Sequence, residues 1–152
     1  MAMRPMFALS VAILWASPAL AVSAEVPSTA IAVWKSATCK CCSNWVKHLE
    51  ANGFMVTVTN ADPDALTRLK EQAGLSQDLS SCHTAKIGGY VIEGHVPAPD
   101  IKRLIAERPE GLGLTVPGMP VGSPGMEQGA EFEPYDVLLL KKDGSTEVFA
   151  SH

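Results

Sequence analysis

Apolar and polar positions change period several times between residues 31 and 107, and each change predicts a new element. Runs of β-branched and aromatic residues or strict alternation indicate strands, whereas i and i+4 apolar spacing, as between Trp45 and Leu49, indicates a helix. Gly88-Gly89 separates two strand-like runs and predicts a two-residue hairpin. The predicted elements are strand 31–34, helix 42–51, strand 54–59, helix 62–73, strands 84–87 and 90–93, and helix 100–107.

The order of these elements, β-α-β-α-β-β-α, predicts an α/β chain with a thioredoxin-like fold. Two parallel strands at the start need a crossover connection, and the helix between them provides it. Residues 109–134 are rich in glycine and proline and predict a long loop with little regular structure. A last hairpin, 135–140 with 146–149, completes a C-terminal Gly/Pro-rich loop and β-hairpin extension to the core.

The first 24 residues have the features of a secretory signal peptide. Arg4 precedes an uncharged apolar run, and small residues end at Ala24 in the pattern of a cleavage site. An uncleaved anchoring helix is the alternative, but the apolar run is short for a transmembrane helix. We therefore expect residues 1–24 to be removed and residues 25–152 to form a single thioredoxin-like, metal-binding domain in the periplasm.

Composition narrows the range of partners. The chain has 12 Lys and Arg residues against 16 Asp and Glu, a formal charge of −4, and no basic patch. This argues against nucleic acid as a partner. No second apolar segment reaches spanning length, so we expect no membrane insertion after signal cleavage. A single arginine before the apolar run indicates export of the unfolded chain, so any metal would be acquired outside the cytoplasm.

The strongest chemical signal is Cys39-Lys40-Cys41-Cys42 at a predicted strand-to-helix junction. Cys39 and Cys42 form a C-x-x-C pair where thioredoxin-like proteins keep their redox cysteines. The helix N-terminus favours thiolate, the form that attacks disulfides and binds metals. A dithiol catalyst needs only two cysteines, and Cys41 is a third. Cys82 lies just before the third strand, which in this fold faces the start of the helix.

Four converging thiolates favour a soft cation such as copper(I), and bridging sulfurs allow several ions to share them. Tetrahedral zinc fits less well, because adjacent Cys41 and Cys42 do not give the spacing of a zinc knuckle. Two structural disulfides are the plain alternative in an exported protein. Of the three possible pairings, Cys39–Cys42 with Cys41–Cys82 is one that the spacing allows.

Three further residues are weaker candidates for the metal site. His83 adjoins Cys82 and is expected to bind the metal or to lie beside a ligand. Met119 and Met126 lie on the Gly/Pro-rich loop, and thioethers suit copper(I). We predict that this loop folds over the cysteines and brings Met119, or failing that Met126, close to the metal.

The remaining histidines and the other methionine of the mature chain are predicted to be structural or peripheral. His95 follows a strand and is assigned a structural role, although it lies within possible reach of the site. His48 is expected to face solvent, and His152 to be frayed at the terminus. Met55 is predicted to pack in the core.

Linked motifs give the chain a resemblance to a known family, the CopG-type copper-resistance proteins, over nearly the whole mature chain. The resemblance rests on residues 38–42 with Trp45, and on residues 82–85, 89–97 and 113–120. It implies a periplasmic thioredoxin-like domain that holds several copper ions in a cluster bridged by Cys39, Cys41, Cys42 and Cys82. It also implies a part in copper resistance, with copper redox interconversion as a further activity, and other periplasmic copper-handling proteins as partners.

The rival function from the residues themselves is a thiol–disulfide oxidoreductase. In that case Cys39 is the nucleophile and Cys42 the resolving thiol. A disulfide-stapled binding module is a third option. Cys41 and the absence of a proline before Thr84 favour metal binding over both.

Overall fold

The computed structural model describes residues 29–152, and the predicted signal peptide lies outside them. Seven strands and three helices make up the described chain, together with a short 3-10 helix at Gln77–Leu79. In chain order they are β1 (Ala30–Lys35), α1 (Lys40–Ala51), β2 (Met55–Asn60), α2 (Pro63–Gln72), β3 (His83–Ile87), β4 (Tyr90–Glu93), α3 (Ala98–Glu107), β5 (Gly113–Thr115), β6 (Asp136–Leu140) and β7 (Thr146–Ser151).

All seven strands belong to one mixed sheet with the order β2-β1-β3-β4-β5-β6-β7. Parallel β1 and β2 are joined by α1, and β3 runs antiparallel to both β1 and β4. The predicted α/β fold and its thioredoxin-like order of elements are therefore confirmed. Gly88 and Gly89, with φ of 56° and 90°, form the predicted two-residue turn between β3 and β4.

The main core lies between the sheet and the helices α1 and α3. Trp45 and Leu49 of α1 and Ile101 and Leu104 of α3 are completely buried in it. A second, smaller cluster contains Leu75, Val91 and Leu140. Successive residues of a strand point to opposite faces of the sheet. Ile92 of β4 belongs to the main core, so its neighbour Val91 points to the other face. The smaller cluster therefore lies on the opposite face of the sheet from the main core.

The predicted extension is part of the sheet rather than an appendage. Within the predicted loop, Gly113–Thr115 forms β5, which pairs with β4 on one side and β6 on the other. A strand of three residues beginning with glycine carries too weak a pattern to predict. Gly113 is required there because a Cβ atom would lie 1.7 Å from the carbonyl oxygen of Val91.

Three predictions about peripheral residues are wrong. His48 is half-buried, and its Nε2 accepts a hydrogen bond of 3.1 Å from the N–H of Ala98 in the first turn of α3. His152 is not frayed, because its Nε2 lies 2.8 Å from Asp100 and its ring stacks on Tyr135. Met55 lies on the edge strand β2 with 53% of its surface exposed, so it does not pack in the core.

Two helices begin earlier than predicted: α1 at Lys40 and α3 at Ala98. For α3, Pro97 and the proline at position 99 hold the first turn in helical geometry. None of the helices between residues 29 and 152 has the length and apolar character that crossing a membrane requires.

Candidate metal centre

The first cysteine of the site, Cys39, is the N-cap residue of α1. Its Sγ accepts a hydrogen bond of 3.2 Å from the N–H of Cys42. The two residues are joined by a disulfide, which is the C-x-x-C pair predicted from the spacing. Cys41 and Cys82 are not bonded to another cysteine, so the second bond of the two-disulfide alternative, Cys41–Cys82, is not formed in this structure.

Strand pairing brings Cys82 to the start of α1. The antiparallel register of β1 and β3 sets Lys35 opposite His83, so the residue before β3 lies beside the loop from β1 to α1. The Sγ atoms of Cys82 and Cys42 are 3.4 Å apart, as are those of Cys41 and Cys39. All four Sγ atoms lie within 4.8 Å of one another. The structure thus brings together the four predicted cysteines.

Two histidines extend the cluster on the other side of Cys82. The Cys82 Sγ lies 3.4 Å from Nδ1 of His83 and 3.4 Å from Nε2 of His95. These three residues form a second group whose ligand atoms lie within 4.8 Å of one another, and both histidines are completely buried. His83 therefore lies where the sequence predicted it, beside the cysteines.

His95, assigned a structural role from the sequence, is in direct contact with the site. The signal for this contact was present in the hairpin register. Gly88-Gly89 as the turn pairs Thr84 with Glu93, and continuing that register by two residues sets Cys82 opposite His95. The position of His95 could therefore have been predicted from the turn.

Hydrogen bonding fixes the protonation of the His95 ring. Its Nδ1 lies 2.8 Å from the carbonyl oxygen of Pro124, which can only accept, so Nδ1–H donates. Burial lowers the pKa of His95 from its ordinary value, and the ring is neutral with the Nε2 lone pair facing Cys82. A backbone carbonyl that orients a histidine in this way is the usual support of a metal-binding imidazole.

His83 carries a polar atom without a partner. Its Nε2 is buried and has no hydrogen-bond partner within the described chain. Burial lowers the pKa of His83 well below its ordinary value, with further lowering from His95 and Lys70. The His83 ring contacts the Trp45 ring, with 4.4 Å between their centroids. Trp45 is completely buried, and its indole shields this side of the site from water.

The thiol of Cys82 is held in its protonated form. Burial, and after it the electrostatic interaction with Cys41, raise the pKa of Cys82 to about 11. A thiolate at this position therefore needs a nearby positive charge, and a bound cation provides one.

The Gly/Pro-rich loop packs against the site from outside. A Cβ atom on Gly125 would lie 2.7 Å from both the carbonyl oxygen of Cys41 and the amide nitrogen of Trp45, so the loop backbone touches the first turn of α1. Gly118 accepts a hydrogen bond from the Ser81 hydroxyl. Of the two predicted loop ligands, Met119 has 51% of its surface exposed, and Met126 is half-buried.

A buried carboxylate fixes the backbone just before Cys82. Glu93 is completely buried and accepts from the Lys70 ammonium, from the Thr84 hydroxyl at 2.6 Å and from the Ser81 N–H at 2.6 Å. Burial raises the pKa of Glu93, and the charge of Lys70 and these donated hydrogen bonds act against that rise. The network ties α2, β3 and β4 to Ser81, and no feature of the sequence marked it.

Comparisons with known proteins identify relatives over most of the chain. A family model described as "Protein of unknown function, DUF411" matches residues 79–126, a range that includes Cys82 and His95. The solved structure "Copper resistance protein copG- Form 2" is 47% identical, with a TM-score of 0.75, and the match covers 81% of this chain and 97% of that chain. Form 1 of the same protein is 46% identical, with a TM-score of 0.77 and coverage of 82% and 98%. No curated protein sequence gives a significant match.

Replacing Glu93 by Gln should destabilise the protein strongly. The change keeps the shape of the side chain but leaves the Lys70 ammonium, 13% exposed, without its counter-charge. We expect the free energy of unfolding to fall by about 3 kcal/mol in chemical denaturation of the disulfide-bonded protein.

The matched control is Glu147→Gln, which removes an exposed partner of Lys141 at 2.8 Å. Its effect should stay below about 0.5 kcal/mol. Similar losses in the two variants would contradict the role assigned to the buried network.

Proposed function

The chain belongs to the family of the copper resistance protein CopG, and from that premise we propose that it is an exported periplasmic protein that binds copper(I). The family relationship and the cysteine cluster together support a copper-related function. The proposed ligands are Cys39, Cys41, Cys42 and Cys82, which in their reduced form share several ions in a sulfur-bridged cluster.

The observation that carries this proposal is the convergence of four sulfur atoms within 4.8 Å. Thiolates are soft donors, and one sulfur can bridge two copper(I) ions, so a compact group of four suits a multinuclear site. The nitrogen atoms next to the sulfurs are also suitable ligands for copper(I). His95 presents a lone pair towards Cys82, and His83 has a buried Nε2 that lacks a hydrogen-bond partner in the part of the chain that the structure describes. Both are proposed as additional ligands or as supports for the sulfur ligands.

The oxidation state of the cysteines limits how much copper the protein holds. In the disulfide form Cys39 and Cys42 cannot donate thiolates, which leaves Cys41 and Cys82. Reduction of the disulfide doubles the number of thiolates. We therefore propose that copper loading requires the reduced protein.

The biological role proposed is copper resistance through capture of the ion outside the cytoplasm. Residues 1–24 as a signal peptide and residues 25–152 as one domain belong to this proposal, together with copper-handling proteins of the periplasm as partners. Copper redox interconversion at the same cysteines is the further activity that the family resemblance implies.

Thiol–disulfide exchange with other proteins is the second candidate function. The observation in its favour is the Cys39–Cys42 disulfide at the N-terminus of α1, the arrangement of a dithiol catalyst. Against it, Cys41 and Cys82 each lie 3.4 Å from one of the disulfide sulfurs. An incoming protein substrate would compete with both.

Titration with copper(I) should distinguish a cluster from a single-ion site. The fully reduced protein is expected to bind more than one copper(I) per chain, because four thiolates can bridge. The disulfide form should bind at least about twofold less, since it offers half the thiolates. The measurement is anaerobic competition with a coloured copper(I) chelator. Saturation of the reduced protein at one ion or fewer would exclude the cluster.

Serine variants should separate copper binding from thiol–disulfide catalysis. Cys41→Ser and Cys82→Ser each remove one sulfur of the cluster but spare the Cys39–Cys42 pair. We expect each to lower copper capacity, measured by the same competition, and the parent to reduce insulin poorly. Efficient insulin reduction that survives both changes would favour the oxidoreductase instead.

Replacing Met119 by Leu tests the predicted loop ligand. The change keeps size and apolar character, so folding should be nearly unaffected, but it removes the thioether. Copper transfer to a chelator is expected to become at least about twofold faster if the sulfur contributes to binding. The control is Met55→Leu, an equally exposed methionine on β2. Equal transfer rates in the parent and both variants would exclude Met119 as a ligand.

A further inference from the structure

One peptide unit of the Gly/Pro-rich loop forms a hydrogen bond at each end. The carbonyl oxygen of Pro124 accepts from Nδ1–H of His95 at 2.8 Å, and the N–H of Gly125 donates to Oε2 of Glu127 at 2.9 Å. These two groups belong to the same peptide bond, which is planar and trans, so they point in opposite directions. Turning one of them turns the other. The carboxylate of Glu127 is thus linked to the imidazole of His95 through a single rigid group.

We propose that Glu127 is a positioning residue of the metal centre. It holds the Pro124–Gly125 peptide with its carbonyl towards His95, and so keeps the Nε2 lone pair of that ring towards the sulfur of Cys82, 3.4 Å away. Carboxylates commonly orient metal-binding histidines by direct contact, whereas here a peptide group lies between the two. The part that His95 plays at copper rests on the proposed function, but its orientation is a property of the copper-free chain.

The peptide needs a restraint of this kind because Gly125 does not provide one. Its φ of 88° lies in the left-handed region, and glycine has no Cβ atom to limit rotation of the backbone. A Cβ atom here would lie 2.7 Å from the carbonyl oxygen of Cys41, so a residue with a stiffer backbone does not fit without a shift of the loop. The orientation of the peptide is therefore set largely by its two hydrogen bonds.

The charge of Glu127 acts in the same direction as its hydrogen bond. A carboxylate at the N–H end of a peptide polarises the group and strengthens its carbonyl oxygen as an acceptor. Burial lowers the pKa of His95, and the hydrogen bond to Pro124 and then the negative charge of Glu127 oppose that lowering, which places the carboxylate near the ring. The Glu127 side chain is itself exposed, so it can be replaced without disturbing the core.

Nitrogen-labelled, copper-free protein with its disulfide intact tests the assignment by NMR. At about pH 8 a histidine ring is neutral, and long-range proton–nitrogen spectra of the parent should place the His95 ring proton on Nδ1. Glu127→Ala removes the acceptor of the Gly125 N–H, so the peptide turns away more often. Exchange of the Nδ1 proton with water should then become at least about fivefold faster. Glu127→Gln keeps an acceptor oxygen and should stay within about twofold of the parent.

The matched control is Glu133→Ala, an exposed glutamate of the same loop whose Oε2 lies 3.4 Å from the amide nitrogen of Val121. It removes a comparable side chain without touching the Pro124–Gly125 peptide, and exchange should stay within about twofold of the parent. A parental exchange rate in Glu127→Ala, or equal acceleration in Glu133→Ala or Glu127→Gln, would overturn the proposal, as would a parent ring proton on Nε2. None of these outcomes depends on copper, so a failed copper(I) titration leaves the assignment intact.

Discussion

The antiparallel pairing of β3 with β1 on one side and β4 on the other is the constraint on which the site depends. Pairing with β1 brings the segment before β3 to the start of α1, and pairing with β4 sets the same segment opposite His95. The position of Cys82 therefore depends on the register of both strand pairings. A slip of one residue in either pairing would turn its side chain to the other face of the sheet and separate the sulfurs from each other or from the imidazoles.

Placing so many polar groups at one end of the core has a cost that the surrounding hydrogen bonds largely offset. Glu93 is paired with Lys70 and receives two further donors, and His95 donates to Pro124. The exception among residues 29–152 is Nε2 of His83, which is buried and has no hydrogen-bond partner there. Buried polar atoms are nearly always satisfied in folded proteins, so this one carries a cost in stability that no hydrogen bond of the described residues offsets.

The sequence was sufficient for the order of elements because local signals agreed with one another. Gly88-Gly89 marked the hairpin, Trp45 and Leu49 gave the inner face of α1, and the cysteine spacing pointed to the helix start. Contacts between distant segments were not predictable in the same way. Strand β5 depends on a glycine that fits against Val91, and His152 is ordered by Asp100, so both follow from packing that no local pattern encodes. His95 is an intermediate case. Its contact with Cys82 joins two separate segments, but the register of the β3–β4 hairpin was enough to predict it.

The contact between the Gly/Pro-rich loop and α1 bears on whether the cysteine motif can be transplanted. Gly125 allows the loop backbone to touch the first turn of α1, and the preceding Pro124 sets the tautomer of His95 from 29 positions away. Grafting Cys39-Lys40-Cys41-Cys42 onto another scaffold would carry three sulfurs without the segment before β3 that supplies the fourth or the loop that orients the imidazole. An engineer who wanted this chemistry elsewhere would have to move four separate segments of chain together. The same requirement restricts how far natural variants can shorten the loop while keeping the cysteines.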